Sequence, residues 1–219
     1  MDYSSLTIQE WNAIPKTRDM IIYNASEHSA LNDEWVPFSI GIQWSYIYFA
    51  EAGGKLENGS HADLVLSAFR THTDHRRRPH GINRASIKQT LQNNGIPTIE
   101  MNEQTYFRSL GNYKFVVSPE GNGIDCHRHY EALLAGCIPI VEDHAGIREK
   151  YKGCPILWTR DYSEITPSYL SEKYDEMKSA QYDFSSLVFS THSDAIKEMI
   201  VDNGNYWGQQ LAGKKWYAS

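Results

Sequence analysis

In the run KFVVSPEGNGIDCHRHYEALLAGCIPIV, Arg128 and Glu131 stand three residues apart, just after a loop that carries Gly121 and Gly123. At that spacing two side chains share one face of a helix. A guanidinium can donate two parallel hydrogen bonds to phosphate oxygens, and a carboxylate can accept hydrogen bonds from both hydroxyls of a ribose. Together they are the minimum equipment for holding a nucleoside diphosphate. The plain alternative is an exposed ion pair worth roughly a few tenths of a kcal/mol beside an ordinary loop. The two residues alone leave both readings open.

Other polar residues surround this pair in the chain. Glu120 and Asp125 are the acids nearest the place of a bound sugar; either can orient sugar hydroxyls, and Asp125, directly before the helix, can equally be its N-cap. Downstream of Phe69, the segment RTHTDHRRRPHGINR brings Arg70, Arg76, Arg77, Arg78 and Arg84 into and beyond a strand-end loop. Arg70 and Arg77 are the foremost candidates to meet a diphosphate from the opposite side; a solvated or protein-binding loop is the alternative. His72, His75 and His80 share that loop, and His127 and His129 flank Arg128, without an H-E-x-x-H or cysteine–histidine spacing that would favour a metal. His127 either packs at the helix start or touches phosphate. In the N-terminal part, His28, Asp33 and Glu34 are candidates for a general base, and Trp35, Trp44 and Tyr46 for stacking on a sugar; surface loop and core packing are their alternatives.

The elements that must position these groups follow from periodicity and from stop signals. Strands are expected over 64–69, 97–101, 114–118, 138–142 and 155–159. Helices are expected over 83–94, ended by Gly95, over 103–110, over 126–135, stopped by Gly136, near 147–151, and over 167–177, where Thr166 caps and Pro167 suits the first turn. One or two further helices fill 185–211. The first 60 residues are less regular: 20–23 reads as a strand, and 38–50 is rich in aromatic and β-branched residues. Strands joined by helical crossovers of this length pair in parallel. Ligands bind at the carboxyl ends of such strands, where 119–125 falls, and the glycines there permit close ligand approach. The free N–H groups and positive dipole end of the next helix would face a diphosphate.

The whole chain has 219 residues with a formal net charge of −6, which argues against a nucleic-acid binder, since phosphate-backbone affinity needs a surplus of Lys and Arg. No run of about 18 apolar residues and no signal-like start occurs, so a soluble, cytoplasmic chain without a membrane span is expected. Cys126, Cys137 and Cys154 are odd in number and lack C-x-x-C spacing, which fits reduced thiols. Cys126 and Cys137 read as small buried hydrophobes.

The segment resembles the donor-site motif of exostosin-like glycosyltransferases and related two-Rossmann-domain (GT-B) enzymes, including those of bacteria and large DNA viruses. That pattern is matched by Ser118, Pro119, Glu120, Gly121, Gly123, Asp125, Cys126, His127 and Arg128, then by Glu131, Ala132 and Leu133, and by Gly136 through Val141. A weaker likeness carries it over about residues 64–180. The resemblance implies an α/β fold, a Rossmann-like parallel sheet with flanking helices like one half of a GT-B enzyme. It divides the chain into a reduced acceptor-side segment, 1–60, and a nucleotide-sugar-binding domain with C-terminal helices, 61–219. It implies metal-independent transfer of a sugar from a nucleoside-diphosphate sugar to an acceptor hydroxyl of a glycan, protein or small molecule, with no cofactor besides the donor substrate. Non-catalytic nucleotide binding, or service as the donor half of a complex with a partner chain or second copy, is the alternative. On this reading Glu120, Asp125 and Arg128 are catalytic. The donor is held by Ser118, Glu120, Gly121, Asn122 and Gly123 in the loop, by His127, Arg128 and Glu131 on the helix, and by Arg70 and Arg77. The absence of any D-x-D sequence fits a site where arginine and a helix end neutralise the leaving diphosphate.

Overall fold

The computed structural model describes residues 1–25 and 38–217; His28, Asp33, Glu34 and Trp35 lie outside them. Four strands, β1 (Asp63–Leu66), β2 (Tyr113–Val117), β3 (Ile138–Glu142) and β4 (Leu157–Thr159), form one sheet in the order β1-β2-β3-β4, with every pair parallel. The fold is α/β and Rossmann-like. Helices α1 (Ile8–Ala13) and α2 (Ser45–Glu51) precede the sheet. Then α3 (Arg84–Asn93) and α4 (Glu103–Ser109) link β1 to β2, α5 (His127–Leu134) links β2 to β3, and α6 (Ala145–Lys150) links β3 to β4. After β4 come α7 (Pro167–Met177) and α8 (Asp194–Ala212).

Strand periodicity sorts the core into two layers. Phe115, Val117, Ile138 and Ile140 point to one side, against Ile87 and Leu91 of α3 and Leu170 of α7. Val116 and Val141 point to the other, against Leu133 and Leu134 of α5. The first 60 residues contribute to this second layer through Trp11, Met20 and Ile22. Trp11 donates its indole N–H to Leu133 O at 2.9 Å and stacks on Phe184. The buried Tyr130 hydroxyl accepts from Ile22 N at 3.1 Å, so α5 is fastened to the N-terminal segment along its length.

Caps explain the helix starts. Asn83 and Ser86 form a reciprocal capping box at α3, Asn102 caps α4, and Thr166 with Pro167 opens α7. Gly136, at φ 78°, turns the chain from α5 into β3. Three expectations are corrected. The 97–101 stretch is not a strand: Pro97 has no N–H to give, and the stretch is tied to the end of β1 by Ile99 N to Ser67 O and by the Thr98 and Ser67 hydroxyls, both at 2.9 Å. The strand expected over 20–23 is a 3₁₀ turn, Arg18–Met20, followed by a single antiparallel bridge between Tyr23 and Gly41. Asp125 does not cap α5; Cys126 occupies that position and no side chain caps the helix. No helix among the described residues is long and apolar enough to cross a membrane.

Asp125 instead lies in a buried ion pair with Lys150 at 3.1 Å, both side chains fully covered, and also accepts from the Tyr151 hydroxyl at 2.9 Å and from Ile40 N at 3.2 Å. This links the loop before α5 to the end of α6 and to the N-terminal segment. Removing one partner of a buried pair strands the other charge. Lys150→Ala is therefore expected to lower unfolding free energy by about 3–5 kcal/mol in urea denaturation, and a loss below about 1 kcal/mol would show that the pair is dispensable.

Candidate functional site

The loop at the carboxyl end of β2, residues 118–126, is held by three arginines of the segment after β1. Arg84, 5% exposed, donates Nε to Glu120 O at 2.8 Å, Nη2 to Pro119 O at 2.7 Å and Nη1 to Arg70 O at 3.2 Å. Arg78 pairs with Glu142 at 2.9 Å and donates to Glu120 O at 3.0 Å. Arg77 pairs with the Glu120 carboxylate at 2.5 Å and reaches Gly121 O at 3.3 Å. Buried Asp74 accepts from Arg84 N and Arg78 Nε. The basic segment thus spends most of its charge on the loop's carbonyls and acids.

This bears on several expected contacts. Arg77 and Glu120 neutralise each other and neither lines the cleft described below. Ser118 is buried, with Oγ 2.6 Å from His129 Nδ1. Because His129 Nε2 faces the Ile124 carbonyl at 3.4 Å and must donate there, Nδ1 accepts from Ser118. Neither Gly121 nor Gly123 has a positive φ; a Cβ on Gly121 would meet Arg84 Nη2 at 3.0 Å, so this glycine makes room for the arginine rather than for a ligand.

Beside the loop opens a cleft of about 990 Å³, at the upper end of the range of small-molecule sites. Asn122 and Gly123 line it from the loop, His127, Arg128 and Glu131 from α5, and Arg70 from the end of β1. Asp125 also borders it, with its carboxylate committed as described. Sequence reading missed Lys88, Gln43 and Tyr106. Lys88 had a signal: it follows Arg84 by one turn on a helix whose cap is plain in the sequence. Gln43 and Tyr106 had none, since long-range packing brings them in.

The charges differ in how they are met. Arg128 is half-buried, its Nε has no hydrogen-bond partner, and the guanidinium lies 5.3 Å from the centre of the Tyr106 ring. Among the described residues neither Arg128 nor the half-buried Lys88 makes a side-chain hydrogen bond or ion pair. Both line the cleft, Arg128 from the first turn of α5, whose start has no side-chain cap and whose N–H groups favour an anion. Arg70 sits on the rim, largely exposed, 3.8 Å from Glu103. His127 donates Nδ1–H to Gly41 O at 2.9 Å, and burial lowers its pKa. Neutral and with Nδ1 committed, it offers the cleft an acceptor, which does not suit phosphate.

Glu131 is 2% exposed and accepts from Gln43 N at 3.0 Å, so it is no member of an exposed surface pair. Burial pushes its carboxyl up to about 7, against the opposing pull of Arg128, the Gln43 amide and Tyr106. Asp125, His127 and Glu131 together grip the backbone of 40–43, through Ile40 N, Gly41 O and Gln43 N.

A family model, the RXYLT1 C-terminal domain, matches residues 80–182. That span includes Lys88, Tyr106, the loop and α5, and the match supports a glycosyltransferase-related domain there. No curated protein matches the chain.

Burial makes Glu131 a weaker acid in the folded protein than in the unfolded chain. Between its unfolded value near 4.5 and about 7, the folded state binds more protons than the unfolded one, so this group's contribution to stability falls as pH rises through that window and levels off above it. Glu131→Gln is expected to gain stability relative to the parent from pH 5 to pH 8, by an amount on the order of 3 kcal/mol at most. Urea denaturation at the two pH values checks this; a constant difference would mean that Glu131 ionises normally.

Proposed function

We propose that the cleft binds a nucleoside-diphosphate sugar and that the protein transfers its sugar to an acceptor hydroxyl. The observation that carries this reading is the pairing of an uncompensated, partly desolvated cation, Arg128, with a buried carboxylate one turn away, Glu131, at an uncapped helix start. Arg128, Lys88 and the α5 N–H groups are suited to the diphosphate, and Glu131 to the ribose hydroxyls. In the reaction the acceptor oxygen attacks the anomeric carbon, the bond from that carbon to the diphosphate oxygen breaks, and the acceptor proton passes to a base. The departing nucleoside diphosphate gains negative charge, which fixed cations stabilise without reorganisation. In this scheme they do the work of a divalent ion.

A second reading has its own support. Glu120 is engaged by Arg77 and Arg78, and Asp125 by Lys150, so neither is free to take the acceptor proton. The base would then come from a partner chain or a second copy, this chain serving as the donor-binding half; without such a partner it would bind the nucleotide without turnover.

Arg128→Ala is expected to weaken nucleoside diphosphates by about 1.5–3 kcal/mol, the scale of a hydrogen bond to a charged group, while leaving nucleosides nearly unchanged. Glu131→Gln should weaken both alike. Isothermal titration with UDP, GDP, ADP and CDP and their nucleosides makes the comparison; affinities within about twofold of the parent, a change near 0.4 kcal/mol, would overturn the assignment. Binding and sugar transfer should also survive EDTA, and an absolute Mn²⁺ requirement would exclude the cation-only site.

A further inference from the structure

Tyr106 lines the cleft beside Arg128. It lies on α4, 6% exposed, and its ring face carries the Arg128 guanidinium at 5.3 Å. Its hydroxyl is buried and makes no hydrogen bond of acceptable geometry, although it stands beside the Glu131 carboxyl closely enough for each to influence the other's proton. A buried phenol without a partner is costly, because it gives up its hydrogen bonds to water and gains none. Tyr106 thus lies under the Arg128 guanidinium, lines the same cleft as Glu131, and keeps its hydroxyl buried without a hydrogen bond.

We infer that Tyr106 is a positioning residue for Glu131: its hydroxyl is the reserve donor that engages the carboxylate when that acid ionises to receive a ribose diol. This rests on the donor-site reading above. The groups facing Glu131 are few and come from three directions. Arg128 lies on the same helix, Gln43 N comes from the N-terminal segment and is already bonded at 3.0 Å, and Tyr106 and Glu103 come from α4. Arg128 and the amide favour the ionised form, Glu103 opposes it, and burial opposes it most. When a diol binds, Glu131 must lose its proton to accept from both hydroxyls, and the new charge sits where water is excluded. The Tyr106 O–H is the donor at hand to meet it. The phenol keeps its own proton throughout, because burial and the neighbouring carboxylate raise its pKa well above 10.

Tyr106→Phe removes the hydroxyl and keeps the ring under Arg128. At pH 5, where Glu131 is protonated and the hydroxyl unsatisfied, thermal stability should be unchanged or slightly higher, and above pH 8 it should be lower, since the parent alone then bonds the carboxylate. Two measurements test the inference. In the ligand-free protein, ¹³C-carboxyl NMR should show the Glu131 titration midpoint move up by about one unit in the variant, the size expected for one lost hydrogen bond to a carboxylate. In titrations with UDP, GDP, ADP and CDP from pH 6 to pH 9, the ligand that binds the parent should bind the variant about five- to tenfold more weakly at pH 6–7 and equally at pH 9. In a Glu131→Gln background, Tyr106→Phe should have no further effect.

An unmoved NMR midpoint overturns the inference whether or not a nucleotide binds. A loss of affinity equal at all pH values would make Tyr106 a direct ligand contact instead, and a drop in thermal stability already at pH 5 would make the hydroxyl a structural bond; either result also overturns it. If the midpoint moves as stated but none of the four nucleotides binds the parent, the donor-site reading fails and the coupling of Tyr106 to Glu131 stands without a ribose.

Discussion

The site depends on one buried guanidinium. Arg84 enters from the first turn of α3 and spends its donors on the carbonyls of Pro119, Glu120 and Arg70. Those oxygens belong to the two loops that leave the carboxyl ends of neighbouring parallel strands, β1 and β2. Irregular backbone at a sheet edge leaves carbonyls that nothing in the sheet can satisfy, and their burial requires partners. One planar group with several donors meets three of them at once. Gly121 is small because this guanidinium passes beside it. Arg77 and Arg78 join the same two loops from the rim, but Arg84 is the buried link that meets carbonyls of both.

Around that anchor the charges divide by task. Arg77, Arg78, Glu120, Glu142 and Asp74 form a network of ion pairs that closes on itself. Lys150 and Asp125 form a second, fully covered pair on the other side of the loop. Among the described residues that line the cleft, Arg128 and Lys88 make no side-chain hydrogen bond or ion pair, and the start of α5 has no side-chain cap. A fixed cation next to covered surface is costly to hold and is worth most when an anion arrives, because nothing has to move to receive it. The network ties up most of the charge of the segment after β1, and the few unmatched groups at the cleft are the ones the proposed donor site would use.

The N-terminal segment belongs to the site through its backbone. Asp125, His127 and Glu131, three residues of the glycosyltransferase-like motif, bond to Ile40 N, Gly41 O and Gln43 N. The helix that faces the cleft is therefore also the surface on which this segment docks. Glu131 is part of that junction, since its buried carboxylate accepts from the Gln43 amide of the segment.

The sequence by itself determined the strand–loop–helix–strand unit around the motif, the parallel arrangement, the capping of α3 and α7, and the spacing that joins Arg128 to Glu131. These are local: a period of two or 3.6, a cap residue and a stop glycine are written within a few consecutive positions. Short elements with weaker local signals went astray, as at 97–101, where Pro97 removes a donor, and at 20–23, where only Tyr23 pairs. Tertiary structure alone decided which arginines are free. Arg77 and Arg84 look alike in sequence, yet both are consumed by loop acids and carbonyls, while Lys88 a turn later is left uncompensated. It also decided that Glu131 is buried and that Tyr106 lines the same cleft, because burial and charge pairing depend on neighbours tens of residues away, and no local pattern encodes the sum of those fields.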